Sequence, residues 1–384
     1  MKKTQRRVLV AVLAAAALSA SVLLPGSAVA KPKPANIQTT ITVVAEGLDT
    51  PRGLIYDRLL RRVLVAEAGD AAGNNGPCGA GNGGVIYCYG ETGAVFQYSE
   101  IFGTKHRIAT GLPSLKVEDG SDVLGVHDLS LQLGHMTGVF GLSGNASTFR
   151  QSLVDQGAAL AGSFATSSRI GLGAGNVTPV GDAGMFEVAN NPDGRRVDSD
   201  PYGIYQSWFG TLIADAGGND ILHVLPNGET RLLVFLPPRD FMGDPDYESV
   251  PTSVTQGPDG AVYISELTGF PYHVGSARIL RWVPGQTTTT VFAEGFTDIT
   301  DFTFDERGRL VVLEIAKFSL ASETDPVTGR LVRVERNGTQ TELASTGLEN
   351  PGGVAYAGNG VYYVTNRTTS EGDIGQLLKL QVQG

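Results

Sequence analysis

The 384-residue chain is 41% hydrophobic and 18% charged, carries a formal net charge of −10 and has only two cysteines. Such an acidic balance disfavours binding nucleic acid or anionic membrane by charge, and suits cations or simply solubility. Past Ala30 no apolar run is long enough to span a bilayer.

Lys2, Lys3, Arg6 and Arg7 precede an apolar run from Val8 to Leu24, which Pro25 and Gly26 break, and Ala28-Val29-Ala30 then offers small residues at an A-x-A cleavage site. This three-part pattern predicts a secretory signal peptide over residues 1–30, a short linker over 31–37 and one extracytoplasmic domain over 38–384. The run is at the short end of spanning length, so an uncleaved anchor is the poorer reading. Arg6-Arg7 also admits the twin-arginine route, although Gln5 makes that match partial. Residues 1–30 hold four basic and no acidic residues, so their removal takes the formal charge from −10 to −14.

Cys78 and Cys88 form an isolated close pair in "CGAGNGGVIYC". In an exported chain they read as one disulfide; without a paired histidine element they make a poor zinc site. The glycines Gly79 to Gly84 fit G-x-G-x-x-G, but they lie between the cysteines and lack the strand-to-helix setting of a nucleotide site.

Two nearly identical phrases, "TTITVVAEGLDT" at Thr39 and "TTTTVFAEGFTD" at Thr287, disclose an internal repeat. After them, and between them, come "PRGLIYDRLLRRVLVAEAG" from Pro51, "VHDLSLQLGHMTGVFGLSG" from Val126, "PYGIYQSWFGTLIADAGGN" from Pro201, "PTSVTQGPDGAVYISELTG" from Pro251, "ITDFTFDERGRLVVLEIAK" from Ile299 and "PGGVAYAGNGVYYVTNRTT" from Pro351. Each is a leading turn, a short apolar strand, a turn and a second apolar strand. Leu54, Leu129, Ile204, Val254, Phe302 and Val354 mark equivalent places, and the last three steps between them are close to fifty residues. Two further strands follow in most units, as in "ARILRWV" and "TTTVFAEG". Four short strands at this period predict an all-β fold, a six-bladed β-propeller. The β-branched runs and the Asp-Gly, Asn-Gly and Pro-Gly turns exclude a helical solenoid. The sixth unit lacks a fourth strand, and the phrase at Thr39–Gly47 supplies one from the other end of the chain. The ring is therefore expected to be closed by an N-terminal strand completing the last blade.

The first two steps each carry about 25 extra residues: a Gly-rich loop, Gly69–Gly90, and the stretch Asn145–Gly162, where Ser147 or Thr148 is placed to cap a short helix with Phe149, Leu153 and Leu160 on its apolar side. Both follow second strands and should project from the same end of the propeller, which marks that end as the functional face.

At that end the first strands begin with Arg52, His127, Asp128, Tyr202, Ser253, Asp301 and Gly353, and the second strands end with Glu67, Asp215, Glu266, Glu314 and Asn366. Four carboxylates around one mouth repel unless a cation or protons neutralise them. They point either to a Ca²⁺-type site or acid/base pair, or to structural acceptors of turn amides and Arg52. His127 and Asp128 are adjacent in a strand and face opposite sides, so they are not a dyad by themselves.

The blocks "GLDTPRGLIYD", "GPCG", "GVHDL", "NNPDG", "DPYG", "IADAGGNDILHV" and "VPTSVTQGPDGAVYISELTGFPYHVGSARI" together resemble the ScyD/ScyE family over residues 40–384. The resemblance implies an exported propeller with NHL-like repeats and no established reaction, so it transfers no catalytic residue. Asp200, in "DSDPYG", departs from the Asn expected there and adds to the acidic rim. Two functions stay open. One is a secreted, monomeric module binding a small molecule or an extracellular protein at the acidic mouth. The other is a metal-dependent, lactonase-like hydrolase or a sugar- or quinone-linked oxidoreductase, for which Ca²⁺ is the expected ion.

Overall fold

A computed structural model describes residues 37–71, 76–118, 120–322, 327–369 and 373–384. The expected signal peptide, and the linker apart from Ile37, lie outside the described residues. The fold is an all-β propeller. Five sheets are four-stranded and antiparallel, one is seven-stranded, and a two-stranded ribbon, Arg239–Phe241 with Asp244–Tyr247, stands apart. Among the described residues no helix is long and apolar enough to cross a membrane.

Six equivalent four-stranded blades were expected, and the first unit differs. Its inserted segment is not a loose loop: Cys78–Ala80 pairs with an extended 14-residue strand, Ile86–Ser99, and the disulfide Cys78–Cys88 lies in that pairing. The next strand, Lys105–Val117, also carries the short strands Val123–Leu124 and Gly173–Ala174, so seven strands form one sheet. Gln38–Leu48 pairs antiparallel with Gly375–Gln383 at the other end of the chain, from Gln38 against Gln383 to Leu48 against Gly375, with register shifts between Val43 and Ala45 and between Glu46 and Leu48. The phrase at Thr39 is thus the fourth strand of the last sheet.

The second strands show why they read as unbroken apolar runs. Val63 to Glu67, Val262 to Glu266 and Leu310 to Glu314 are buried at every position, because each strand has a neighbouring sheet on both faces. The apolar clusters lie between consecutive sheets; one joins Leu54, Val63, Val65 and Phe96 of the seven-stranded sheet to Ala355, Tyr363 and Leu377 of the last. Just before several first strands the chain turns through the left-handed region, at Thr50, Val250, Asp298 and Asn350. Such turns cost free energy for residues with a β-carbon and are held by surrounding bonds.

The second insertion does form a short helical segment. Its cap is Asn145 rather than Ser147 or Thr148: the Asn145 side chain accepts from the Ser147 N–H at 2.8 Å. Phe149 and Leu153 are buried, whereas Leu160 lies beyond the helix end at Asp155. A second helix, Ala183–Asn190, capped by Asp182, fills the link between two sheets. The repeat gave no sign of it.

Candidate functional site

Glu67, Glu266 and Glu314 do end second strands, but they do not face a mouth. Each is fully buried. One oxygen takes a bond from the chain entering the first strand of the same sheet: Asp49 N–H to Glu67 at 2.9 Å, Ser249 Oγ to Glu266 at 2.8 Å, Thr297 N–H to Glu314 at 2.5 Å. An arginine from a more peripheral strand then closes on the carboxylate with two nitrogens: Arg107 on Glu67, Arg278 on Glu266 and Arg330 on Glu314. Asp215 takes bonds from Ser199 Oγ (2.6 Å), from the Asp200 N–H (2.7 Å) and from the amides of Gly217 and Gly218. Asn366 does the same with the Glu349 N–H at 2.8 Å. These five side chains are clamps that tie an incoming loop to the strand beside it. Their acceptor capacity is spent within the wall, so the expectation of a common carboxylate ring at the mouth is corrected. Among the described residues no three His, Cys, Asp or Glu side chains are gathered so as to hold a metal ion.

Nearer the axis, a register irregularity in each of five first strands falls between Pro51 and Leu54, Val126 and Asp128, Pro201 and Gly203, Pro251 and Ser253, and Ile299 and Asp301. It turns Asp128, Ser253 and Asp301 into the channel, where a cavity of about 570 Å³ is lined by residues of all the first strands. Asp128 accepts from the Leu129 N–H (2.8 Å) and from the Ile204 N–H (3.1 Å) of the next sheet; Asp301 accepts from Ser253 Oγ (2.7 Å) and from the Val354 N–H (2.8 Å). Burial raises both carboxyls, and the charge of Asp301 raises Asp128 further. Gly53 has no room for a β-carbon, which would lie 2.2 Å from an Asp128 oxygen. Asp128 and Asp301 thus bridge neighbouring sheets while facing the channel.

His127 points the other way. It is 1% exposed, its Nδ1 lies 3.2 Å from the Pro201 carbonyl, and its ring packs on Tyr202. Burial, reinforced by Arg52, pushes its pKa down to about 3, so the imidazole is neutral and Nδ1–H donates to that carbonyl. The 3.8 Å approach of Asp200 is accordingly not an ion pair. His127 is a packed structural residue lying behind Asp200.

Asp200 opens onto a different cavity, of about 610 Å³, at the end that carries the inserted segments. Asp198, Asn219, Glu248, Arg196 and Tyr272 line it with Asp200. Here the carboxyls are not clamped by arginines in the same way. Burial raises Asp198 to about 6, with Asp215 adding to the shift and Arg196 and a hydrogen bond from the Asn82 side chain opposing it; the Asp198 Oδ1 atom is buried without a partner. Burial also lifts Asp200 well above the ordinary range, and the charges of Asp122, Asp198 and Asp215 add to it. Arg195 reaches over the rim to Glu248 at 2.6 Å and Asp246 at 3.3 Å. The cavity therefore offers hydrogen-bond donors, acceptors and an aromatic wall within one space. In the sequence "NNPDG", "DSDPYG" and "SELTGFPYHVG" mark a family resemblance, and apart from Asp200 on the acidic rim they point to no site, because they belong to links between sheets.

No family model matches the chain, and no curated protein matches it. Solved structures do. The PQQ-bound aldose sugar dehydrogenase of Streptomyces coelicolor is 15% identical, with a TM-score of 0.52 over 91% of this chain and 99% of that one. A gluconolactonase of Xanthomonas campestris is 11% identical, with a TM-score of 0.50 over 90% of each chain. A luciferin-regenerating enzyme is 8% identical, with a TM-score of 0.50 over 90% of this chain and 97% of that one. At such identities the likeness establishes the propeller fold alone.

Proposed function

We propose that this chain is an exported, monomeric, ScyD/ScyE-like propeller that binds a small, hydroxyl-rich molecule in the acidic cavity at its insertion-bearing end. The seven-stranded sheet counts in this reading as an enlarged first blade, so that six blades close around the axis through the N-terminal strand. The observation that carries the binding site is the buried, unpartnered Asp198 oxygen beside Asp200, Glu248 and Arg196. A buried acceptor without a partner costs free energy, and a ligand hydroxyl removes that cost. Carboxyls with raised pKa values donate as well as accept, which suits polyols better than simple anions. The intramolecular disulfide suits an oxidising compartment.

A hydrolytic or oxidoreductive role, the chemistry named for several structural neighbours, has one observation of its own. Asp198, with a pKa near 6 and Arg196 beside it, can hold or release a proton close to neutral pH. Calorimetric titration with aldoses, aldonic acids and their lactones tests both readings. Binding without turnover that Asp198→Asn and Glu248→Gln weaken supports the first. Turnover lost in Asp198→Asn supports the second. If no compound binds, and chelator and added Ca²⁺ leave the melting temperature unmoved, the cavity is not a site for sugar-like ligands or Ca²⁺.

A further inference from the structure

In antiparallel sheets of this order, the link between first and second strands and the link between third and fourth strands lie at the same end. The registers Asp57–Arg62, Tyr98–Lys105, Gln132–His135, Ile170–Val177 and Ser207–Gly210 fix such tips in three consecutive sheets, at the end opposite the acidic cavity. Large apolar residues crown them: Leu59 is 89% exposed, Phe102 79%, Leu133 94%, Leu172 72% and Trp208 87%. In the next three sheets the corresponding first hairpins are "GPDG", "DERG" and "GNG". The apolar tips therefore occupy one half of this end only.

The charge around them opposes that of the chain. Arg58, Arg61, Lys105 and Arg169 are exposed there. Two acidic residues close by are already engaged: Asp57 pairs with Arg62 at 3.0 Å, and Glu100 accepts from Tyr56 and Tyr363 and pairs with Arg61 at 3.4 Å and Lys379 at 3.6 Å, which leaves Arg58, Lys105 and Arg169 as the unbalanced cations. Lys105 and Arg169 have no acidic partner among the described residues. A groove of about 390 Å³ between two of the sheets is lined by Arg62, His135 and Arg169.

We propose that this end docks on an anionic lipid surface, with Leu59, Phe102, Leu133, Leu172 and Trp208 entering the headgroup layer and the basic residues meeting lipid phosphates. Single apolar residues on separate convex tips match insertion among headgroups; a protein contact of stable size would call for a continuous complementary patch. The net negative charge of the chain does not forbid it, because Asp193, Asp198, Asp200 and Glu248 gather at the opposite end, the acidic hairpins of this end belong to its other half, and screening acts within about 8–10 Å in physiological salt. On this proposal, the exclusion of anionic membranes drawn from the total charge does not extend to this face.

The chain contains two tryptophans, and the second, Trp282, is buried with its Nε1 bonded to the Gln286 carbonyl. Full-length protein carrying Trp282→Phe makes Trp208 the sole reporter, and residues 1–36 contain no tryptophan that could mimic it. With vesicles of phosphatidylglycerol and phosphatidylcholine, Trp208 emission should shift to the blue and be quenched by brominated acyl chains. Vesicles of phosphatidylcholine alone should do this about tenfold more weakly, as should Lys105→Gln/Arg169→Gln or Phe102→Ser/Leu133→Ser variants with anionic vesicles. Unchanged emission with every vesicle overturns the proposal and leaves the tips as a protein contact. A shift that ignores both double variants overturns it equally.

Discussion

Glu266 and Asp198 are both carboxylates near the same end of the propeller, and they lead opposite lives. Glu266 sits fully buried in the wall with Arg278 gripping both its oxygens and Ser249 completing the set. Asp198 borders a cavity, keeps one oxygen without a partner, and is raised to about 6. A charge that is paired and hydrogen-bonded joins parts of a fold; a charge left short of partners is available to a ligand or a proton.

The comparison predicts its largest effect in the wall. Glu266→Ala strands Arg278 and Ser249, and urea unfolding should show a loss of about 3–5 kcal/mol. A loss below about 1 kcal/mol would reduce the clamps to ornaments. Cys78→Ser/Cys88→Ser releases a short loop, ten residues in separation. Chemical denaturation should register about 2–3 kcal/mol, or less if the inserted strand unfolds on its own.

Smaller and opposite in sign is the effect of the unclamped carboxyls. Asp298, raised by burial to about 7, keeps its proton in the folded state where the unfolded chain has lost it. The protein should therefore lose stability as pH rises from about 4 to about 7. Asp298→Asn copies the protonated form and retains an acceptor for the Leu320 N–H. Relative to the parent it should gain on the order of 1–2 kcal/mol at pH 7.5 and almost nothing at pH 4. Equal effects at both pH values would show that Asp298 is charged throughout. The smallest stability change belongs to the cavity rim: Glu248→Gln should shift unfolding by under about 0.5 kcal/mol while weakening ligand binding about tenfold. A large loss of stability there would make Glu248 another clamp and erase the distinction.

Much of the fold was legible because its cause is local. Apolar runs such as "VLVAEA" and "LVVLEIA", separated by turn residues at a fixed period, state that strands stack with sheets on both sides. The spare strand at Thr39 stated its partner by its likeness to "TTTTVFAEG", since equivalent strands bury equivalent positions. The enlarged first sheet escaped notice because pairing of Cys78–Ala80 with Ile86–Ser99 leaves no periodic mark in so glycine-rich a stretch. The candidate site was legible only as an inventory of charges. Glu67, Asp215, Glu266 and Glu314 look alike in sequence, and Asp198 looks no different from them. Their fates were set by what the tertiary structure brought beside each: Arg107, Arg278 and Arg330, which lie 12 to 40 residues away, for the three glutamates, and loop amides for Asp215. Sequence by itself determined which residues carry charge and which strands repeat. Only the packed structure decided which charges are neutralised, because that depends on partners meeting across strands and sheets rather than along the chain.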